Sequence, residues 1–142
     1  MLKKAIALVL LFLMSAVFNI SSAAEITGIG GKCLDVTDNR TANDTPIILW
    51  QCHGGANQSW QFVNGTVRGA GGKCLDVQSF KTANGTPIIL WTCHGRANQR
   101  WSLVNGTLRG IGGKCLDVST ANGKSIILWE CHGGANQRWQ VR

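Results

Sequence analysis

One motif of this chain occurs three times, over residues 31–60, 72–101 and 113–139. Each copy reads Lys-Cys-Leu-Asp-Val, then a loop, then Ile-Ile-Leu-Trp-x-Cys-His, then Ala-Asn-Gln-x-Trp. Cys33, Cys74 and Cys115 are spaced by 41 residues, as are Cys52 and Cys93, whereas Cys93 and Cys131 are 38 apart. The shortening has a definite place: residues 37–40 and 78–81 are matched by Ser119 alone, and Thr-Ala-Asn resumes at Thr41, Thr82 and Thr120. A period of about 40 residues marks a supersecondary unit that cannot bury its own apolar face and must assemble with its neighbours.

The units read as strands. Leu34 and Val36 alternate with Cys33 and Asp35, and Ile47 and Leu49 with Ile48 and Trp50, which is the period of two expected of a half-buried strand. Asn64-Gly65 and Asn105-Gly106 are hairpin turns, because both central residues of such a turn need φ > 0. No stretch has a helical period, and each copy offers about four short strands. Three such units predict an all-β structure that closes on itself, since closure removes unpaired edges. Arg142 falls at the position before the Asn-Gly turn of the other copies, and Glu25 matches Thr66 and Thr107 just after it. The expected repeats are therefore 25–64, 65–105 and 106–142, which leaves no room for a catalytic domain.

The first 24 residues are read as a signal peptide. Lys3 and Lys4 precede an apolar run of 14 residues (5–18), and Ser22-Ala23-Ala24 fits a cleavage site after Ala24. The run is shorter than the ~20 residues of a membrane span, so no membrane insertion is expected. All six cysteines lie in the remaining 25–142, expected to be one secreted domain, periplasmic in a Gram-negative host, with a disulfide framework. Six cysteines can pair in about 15 ways. Pairing within each unit (Cys33–Cys52, Cys74–Cys93, Cys115–Cys131) is the simplest choice compatible with the repeat. The charge of 25–142 is +5, from 12 basic and 7 acidic residues. The basic residues are scattered with no run, so the charge points to solubility rather than to nucleic acid.

Alternation also assigns faces. With Leu34, Val36, Ile47 and Leu49 toward the core, Cys33, Asp35, Ile48, Trp50 and Cys52 share the opposite face. A Cys33–Cys52 bond then sets Asp35 near Trp50. A carboxylate beside an exposed indole suits a sugar: the carboxylate accepts from hydroxyls and the flat ring covers the C–H face of a pyranose. His53 and Asn57 lie close enough in sequence to add polar contacts. Asp35, Asp76 and Asp117 could instead cap turns, but recurrence two residues from a cysteine in every unit favours a site. Trp60, Trp101 and Trp139 read as core, and Gln58, Gln99 and Gln137 as partners of backbone groups. The histidines are balanced between site and surface. A glycosidase needs two carboxylates at a set separation, and the second copy has no acidic residue besides Asp76. Zinc requires short ligand spacings, not 19 residues between cysteines. Neither an enzyme nor a metal or other cofactor is expected.

Cys-Leu-Asp-Val, Leu-Trp-x-Cys and Asn-Gln-x-Trp, repeated three times across 25–142, resemble the ricin-B-type lectins. The Cys-His-Gly-Gly-Ala-Asn-Gln run is most like the bacterial family 13 carbohydrate-binding modules. The resemblance implies a β-trefoil with pseudo-threefold symmetry, intra-unit disulfides and up to three sugar pockets. It implies Asp35, Asp76 and Asp117 as hydroxyl acceptors and Trp50, Trp91 and Trp129 as stacking platforms. His53, His94 and His132, with Asn57, Asn98 and Asn136, would be further contacts. Galactose- or xylose-containing saccharides are the expected ligands of a monomeric protein. Two features depart from the family. Ile48, Ile89 and Ile127 stand where a polar residue, commonly Gln, is usual, which removes a hydrogen bond worth ~1 kcal/mol per pocket. The shortened loop after Val118 strips backbone from the flank of the third pocket. The competing reading is a protein-interaction trefoil, a toxin-associated subunit or inhibitor. It predicts loops that differ between units, whereas the longest variable stretch is only four residues.

Overall fold

In the computed structural model, which describes residues 22–142, the repeated motif becomes the same four strands in each unit. The first contributes β1 (Ile26–Thr27), β2 (Cys33–Val36), β3 (Thr45–Trp50) and β4 (Gln61–Val63). The second contributes β5 (Thr66–Arg68), β6 (Cys74–Val77), β7 (Ile88–Trp91) and β8 (Ser102–Val104). The third contributes β9 (Thr107–Arg109), β10 (Cys115–Val118), β11 (Ile126–Trp129) and β12 (Gln140–Val141). Among the described residues, the helical pieces are 3-10 turns of three residues, and no helix is long and apolar enough to cross a membrane. The expected signal peptide, 1–24, lies almost wholly outside the described residues.

Two rings of strands close the structure. The hairpins β4–β5, β8–β9 and the pairing of β12 with β1 form one ring. Its gaps are bridged by backbone hydrogen bonds from Trp60 N–H to Ala24 O (2.8 Å), Trp101 N–H to Gly65 O (2.8 Å) and Trp139 N–H to Gly106 O (2.8 Å). The hairpins β2–β3, β6–β7 and β10–β11 cap that ring. They meet one another where Thr45 pairs with Leu90 and Pro46 with Ile89, and through bridges Ile48–Ser125 and Pro87–Ile127. This is a β-trefoil. Asn64-Gly65 (φ 49° and 79°) and Asn105-Gly106 (φ 50° and 79°) make the turns between units, both residues in the left-handed region as a tight twisted hairpin requires.

The core gathers Leu34, Val36, Ile47 and Leu49 and their counterparts in the other units, all buried. Disulfides Cys33–Cys52, Cys74–Cys93 and Cys115–Cys131 clip each unit, with Cα atoms 5.0–5.1 Å apart. Trp60, Trp101 and Trp139 are core residues, as expected. Each buries its ring and donates its indole N–H to the carbonyl of Leu34, Leu75 or Leu116 at 3.0–3.1 Å, so the polar handle of a buried tryptophan is satisfied. Glycine permits that packing. A Cβ on Gly69 would stand 2.6 Å from the Trp60 ring, and Gly28 and Gly110 meet Trp139 and Trp101 in the same way.

Replacing Gly69 by alanine should therefore destabilise the protein by about 1–3 kcal/mol, the usual cost of overpacking a filled core. Chemical denaturation of G69A and wild type measures the difference.

Candidate functional site

The outward face of β2 is not open to water. Cys33 and Asp35 are as buried as the core residues Leu34 and Val36, so the alternation of faces does not appear as an alternation of exposure. The cause is the segment after β3, which folds back over this face and carries His53, Asn57 and Gln58. Gln58 is fully buried and makes three hydrogen bonds. Its amide N–H groups donate to Asp35 Oδ2 (2.8 Å) and to the Gln51 carbonyl (2.8 Å), and its Oε1 accepts from the His53 backbone N–H (2.8 Å). Gln99 and Gln137 repeat the set around Asp76 and Asp117. The glutamines thus satisfy backbone groups, as expected, and also fix the aspartates, which was not expected.

The histidines sit at the carboxylates. His53 Nδ1 accepts the Gly55 N–H at 3.0 Å, which leaves the ring proton on Nε2, 3.6 Å from Asp35 Oδ2. His94 and His132 place Nε2 at 3.8 and 3.7 Å from Asp76 and Asp117. The asparagine amides are turned into the scaffold: Asn57 and Asn98 donate to the carbonyls of Val36 and Val77 at 3.1 Å. Asn136 donates to Asp117 Oδ2 and Val118 O, both at 3.1 Å. Burial pushes the Asp76 and Asp117 carboxyls above the ordinary aspartate value. The Gln99 and Gln137 amides, then His94 and His132, oppose the shift without cancelling it.

The register refines the juxtaposition expected of the first unit. Asp35 faces Ile48 directly across the ladder, and Trp50 faces Cys33, one step along the diagonal. The same pairs recur as Asp76–Ile89 with Cys74–Trp91, and Asp117–Ile127 with Cys115–Trp129. The isoleucine is therefore the immediate neighbour of each carboxylate. Trp50, Trp91 and Trp129 stand out of the surface with 48%, 39% and 39% of their area exposed, unlike the buried tryptophans of the core.

In each unit these residues line one cleft. The first (Asp35, Ile48, Trp50, His53, Asn57) has a volume of about 460 Å³ and the second (Asp76, Ile89, Trp91, His94, Asn98) about 450 Å³. The third (Asp117, Ile127, Trp129, His132, Asn136) holds about 260 Å³, the loss falling where the loop after Val118 is short. Among the described residues the one grouping with spacing suited to a metal ion, Glu25 with Cys33 and Cys52, has both sulfurs engaged in a disulfide.

The sequence reading missed what neighbouring units add. Lys124 of the third unit lies over Trp50 of the first, its Nζ 5.1 Å from the ring centroid. Asp44 of the first unit lines the cleft of the second, where Gln78 donates to it at 2.9 Å. A Cβ on Gly85 would lie 4.0 Å from Trp129 of the third cleft. The second cleft therefore does hold a second carboxylate, contrary to the within-unit count, although the third cleft is lined by Asp117 alone among acidic residues. For Asp44 the signal was present in the sequence, since the residue after Thr-Ala-Asn is Asp44, Gly85 or Gly123.

The model of the ricin-type β-trefoil lectin domain matches residues 22–139. The chain belongs to that family. Among solved structures it is similar to ThreeFoil, a designed threefold-symmetric protein, with TM-score 0.77 and 30% identity over 84% of this chain and 96% of that one. It also resembles the agglutinin from Abrus precatorius, with TM-score 0.76 and 26% identity over 85% of this chain and 48% of the agglutinin. An exo-β-1,3-galactanase from Clostridium thermocellum matches with TM-score 0.74 and 29% identity, over 84% of this chain and 30% of the enzyme. The lectin fold of this chain thus occurs both in a lectin and within an enzyme.

Because Gln58 is buried and holds both a carboxylate and backbone groups, Q58A should lower stability by at least about 2 kcal/mol, the cost of leaving such groups unpaired. Urea titration of wild type and Q58A tests this.

Proposed function

We propose that the protein is a secreted, non-enzymatic lectin with two or three similar sugar pockets, one to a cleft. The observation that carries the reading is the threefold recurrence of a fixed, buried carboxylate beside an exposed indole in an open cleft. Each glutamine occupies Oδ2 of its aspartate and keeps the side chain from rotating, so that Oδ1 accepts from a sugar hydroxyl at no further ordering cost. The indole covers the apolar face of the pyranose, and the histidine Nε2–H donates to a second oxygen. Isoleucine beside the carboxylate supplies an apolar wall and no hydrogen bond, so a single cleft binds weakly. Three clefts on one rigid body gain strength by engaging several sugars of one glycan surface.

Galactose- or xylose-containing saccharides are the proposed ligands. The galactanase carries a domain like this one in a protein whose name places it on a galactose polymer, which supports the first. The Cys-His-Gly-Gly-Ala-Asn-Gln run supports kinship with the family 13 modules. The three disulfides suit an oxidising compartment outside the cytosol, in keeping with removal of residues 1–24 and a mature domain over 25–142. The polar groups of each cleft serve binding: the third has no second carboxylate among its lining residues, so a two-carboxylate hydrolysis is not a property of the repeat.

Two outcomes are expected. Replacing Trp50, Trp91 and Trp129 together by alanine should lower affinity for galactose or xylose roughly tenfold per cleft. Because these rings are exposed, the melting temperature should change little; isothermal titration and calorimetry read the two effects, and unchanged affinity would place the binding surface elsewhere. Acidification should also weaken binding, since a hydroxyl donates better to a carboxylate than to a carboxylic acid. Asp76 and Asp117, raised by burial, take up their protons before a free aspartate does. Affinity should therefore start to fall while the pH is still above 3.8, as titrations at a series of pH values would record.

A further inference from the structure

The second cleft differs from the other two in two linked ways. Phe80 projects beside it with 44% of its area exposed, at the position that Asn39 holds in the first unit and that the third unit lacks. Its φ is 57°, in the left-handed region that asparagine tolerates and a bulky aromatic residue seldom occupies. Asn39, with φ 54°, shows the same backbone filled by a residue suited to it. An aromatic side chain kept on a backbone that disfavours it is a mark of use.

Arg96 is the second departure. Its counterparts are Gly55 and Gly134, where a Cβ would stand 2.6 and 2.8 Å from the rings of His53 and His132. A residue with a Cβ cannot share that space with the imidazole placed as in the other units. In the second unit His94 instead stacks on Phe80, with ring centroids 5.9 Å apart and planes within 10°. The imidazole is correspondingly less exposed than its counterparts, 30% against 47%. Arg96 and Phe80 thus flank the imidazole as a pair: it keeps its contacts with the Arg96 N–H (3.1 Å) and with Asp76 (3.8 Å) and gains the stacked phenyl ring.

Building on the lectin reading above, we propose that the second cleft is a two-ring subsite. Trp91 and Asp76 hold one sugar residue, while the free face of Phe80, braced from behind by His94, stacks on the next ring of the chain. The ligand class is an oligosaccharide of at least two residues whose second ring offers an apolar C–H face. The first and third clefts, which lack the phenylalanine, recognise a single ring.

The test uses the indole N–H resonances of Trp50, Trp91 and Trp129, each reporting one cleft, in titrations with galactose, lactose, xylose and xylobiose. Trp91 should favour one of the disaccharides over its monosaccharide by roughly 3–10-fold, as a second aromatic contact provides, and Trp50 and Trp129 should show no such preference. Phe80→Asn should abolish the preference at Trp91, lowering disaccharide affinity there by more than monosaccharide affinity, with thermal stability equal or higher, because asparagine relieves the backbone. Phe80→Leu should also abolish it, since a branched aliphatic side chain has no flat face. A preference that survives both variants, or none in wild type at Trp91 while monosaccharides bind, overturns the two-ring subsite and leaves the lectin reading standing. Absence of any shift at all three tryptophans overturns both.

Discussion

The hydrogen bond between a buried glutamine and a buried aspartate, made once per unit, is the interaction on which site and scaffold both depend. A carboxylate with so little of its surface in water is costly unless it is paired. Here the pairing comes from a neutral amide whose other groups close the backbone of the turn that covers the carboxylate. The disulfide ties the same two segments covalently, and the histidine leans on the same oxygen. Losing the glutamine would leave unpaired groups on both segments at once, whereas loss of the exposed tryptophan would uncover little. Stability and the proposed recognition thus meet at the aspartate and separate again within two residues of it.

Most of the fold was legible in the sequence because the repeat states it three times. A period of two at Cys33–Val36 and Thr45–Trp50, Asn-Gly at both inter-unit turns and paired cysteines in every copy leave few closed all-β arrangements open. The separation of exposed from buried tryptophans was also legible: Trp50 alternates out of phase with Ile47 and Leu49, whereas Trp60 closes its unit. Burial of Asp35 was not, since alternation assigns a side to a residue but does not say whether another segment returns to cover that side. The function of Gln58 was half legible for the same reason. Its backbone partners are local, at Gln51 and His53, but its carboxylate partner is 23 positions away.

Contacts between units were the least legible. Lys124 over Trp50 and Asp44 at the second cleft arise from pseudo-threefold packing, which brings one unit's loop to its neighbour's cleft. A reading confined to one repeat assigns Asp44 to the first unit and counts a single acid in the second. Position in the sequence and membership of a cleft coincide only where the chain turns back on itself within a unit.

Where three units share a site design, the differences among them carry the information that the shared residues cannot. On the proposed reading, the common set of Asp, Ile, Trp, His and Asn makes a weak pocket for one ring, and three identical pockets would gain only through multivalency. Lys124, Asp44 and Arg96 each charge one cleft and not its relatives, and the short loop of the third unit leaves about 260 Å³ where the others have about 450–460 Å³. Such changes lie on loops and leave the aspartate, glutamine and disulfide untouched, so on the same reading they alter what a cleft accepts without loosening the fold. Residues that every unit needs for folding are held fixed by that need. The residues that cap the clefts are under no such constraint, and specificity can differ there from one unit to the next.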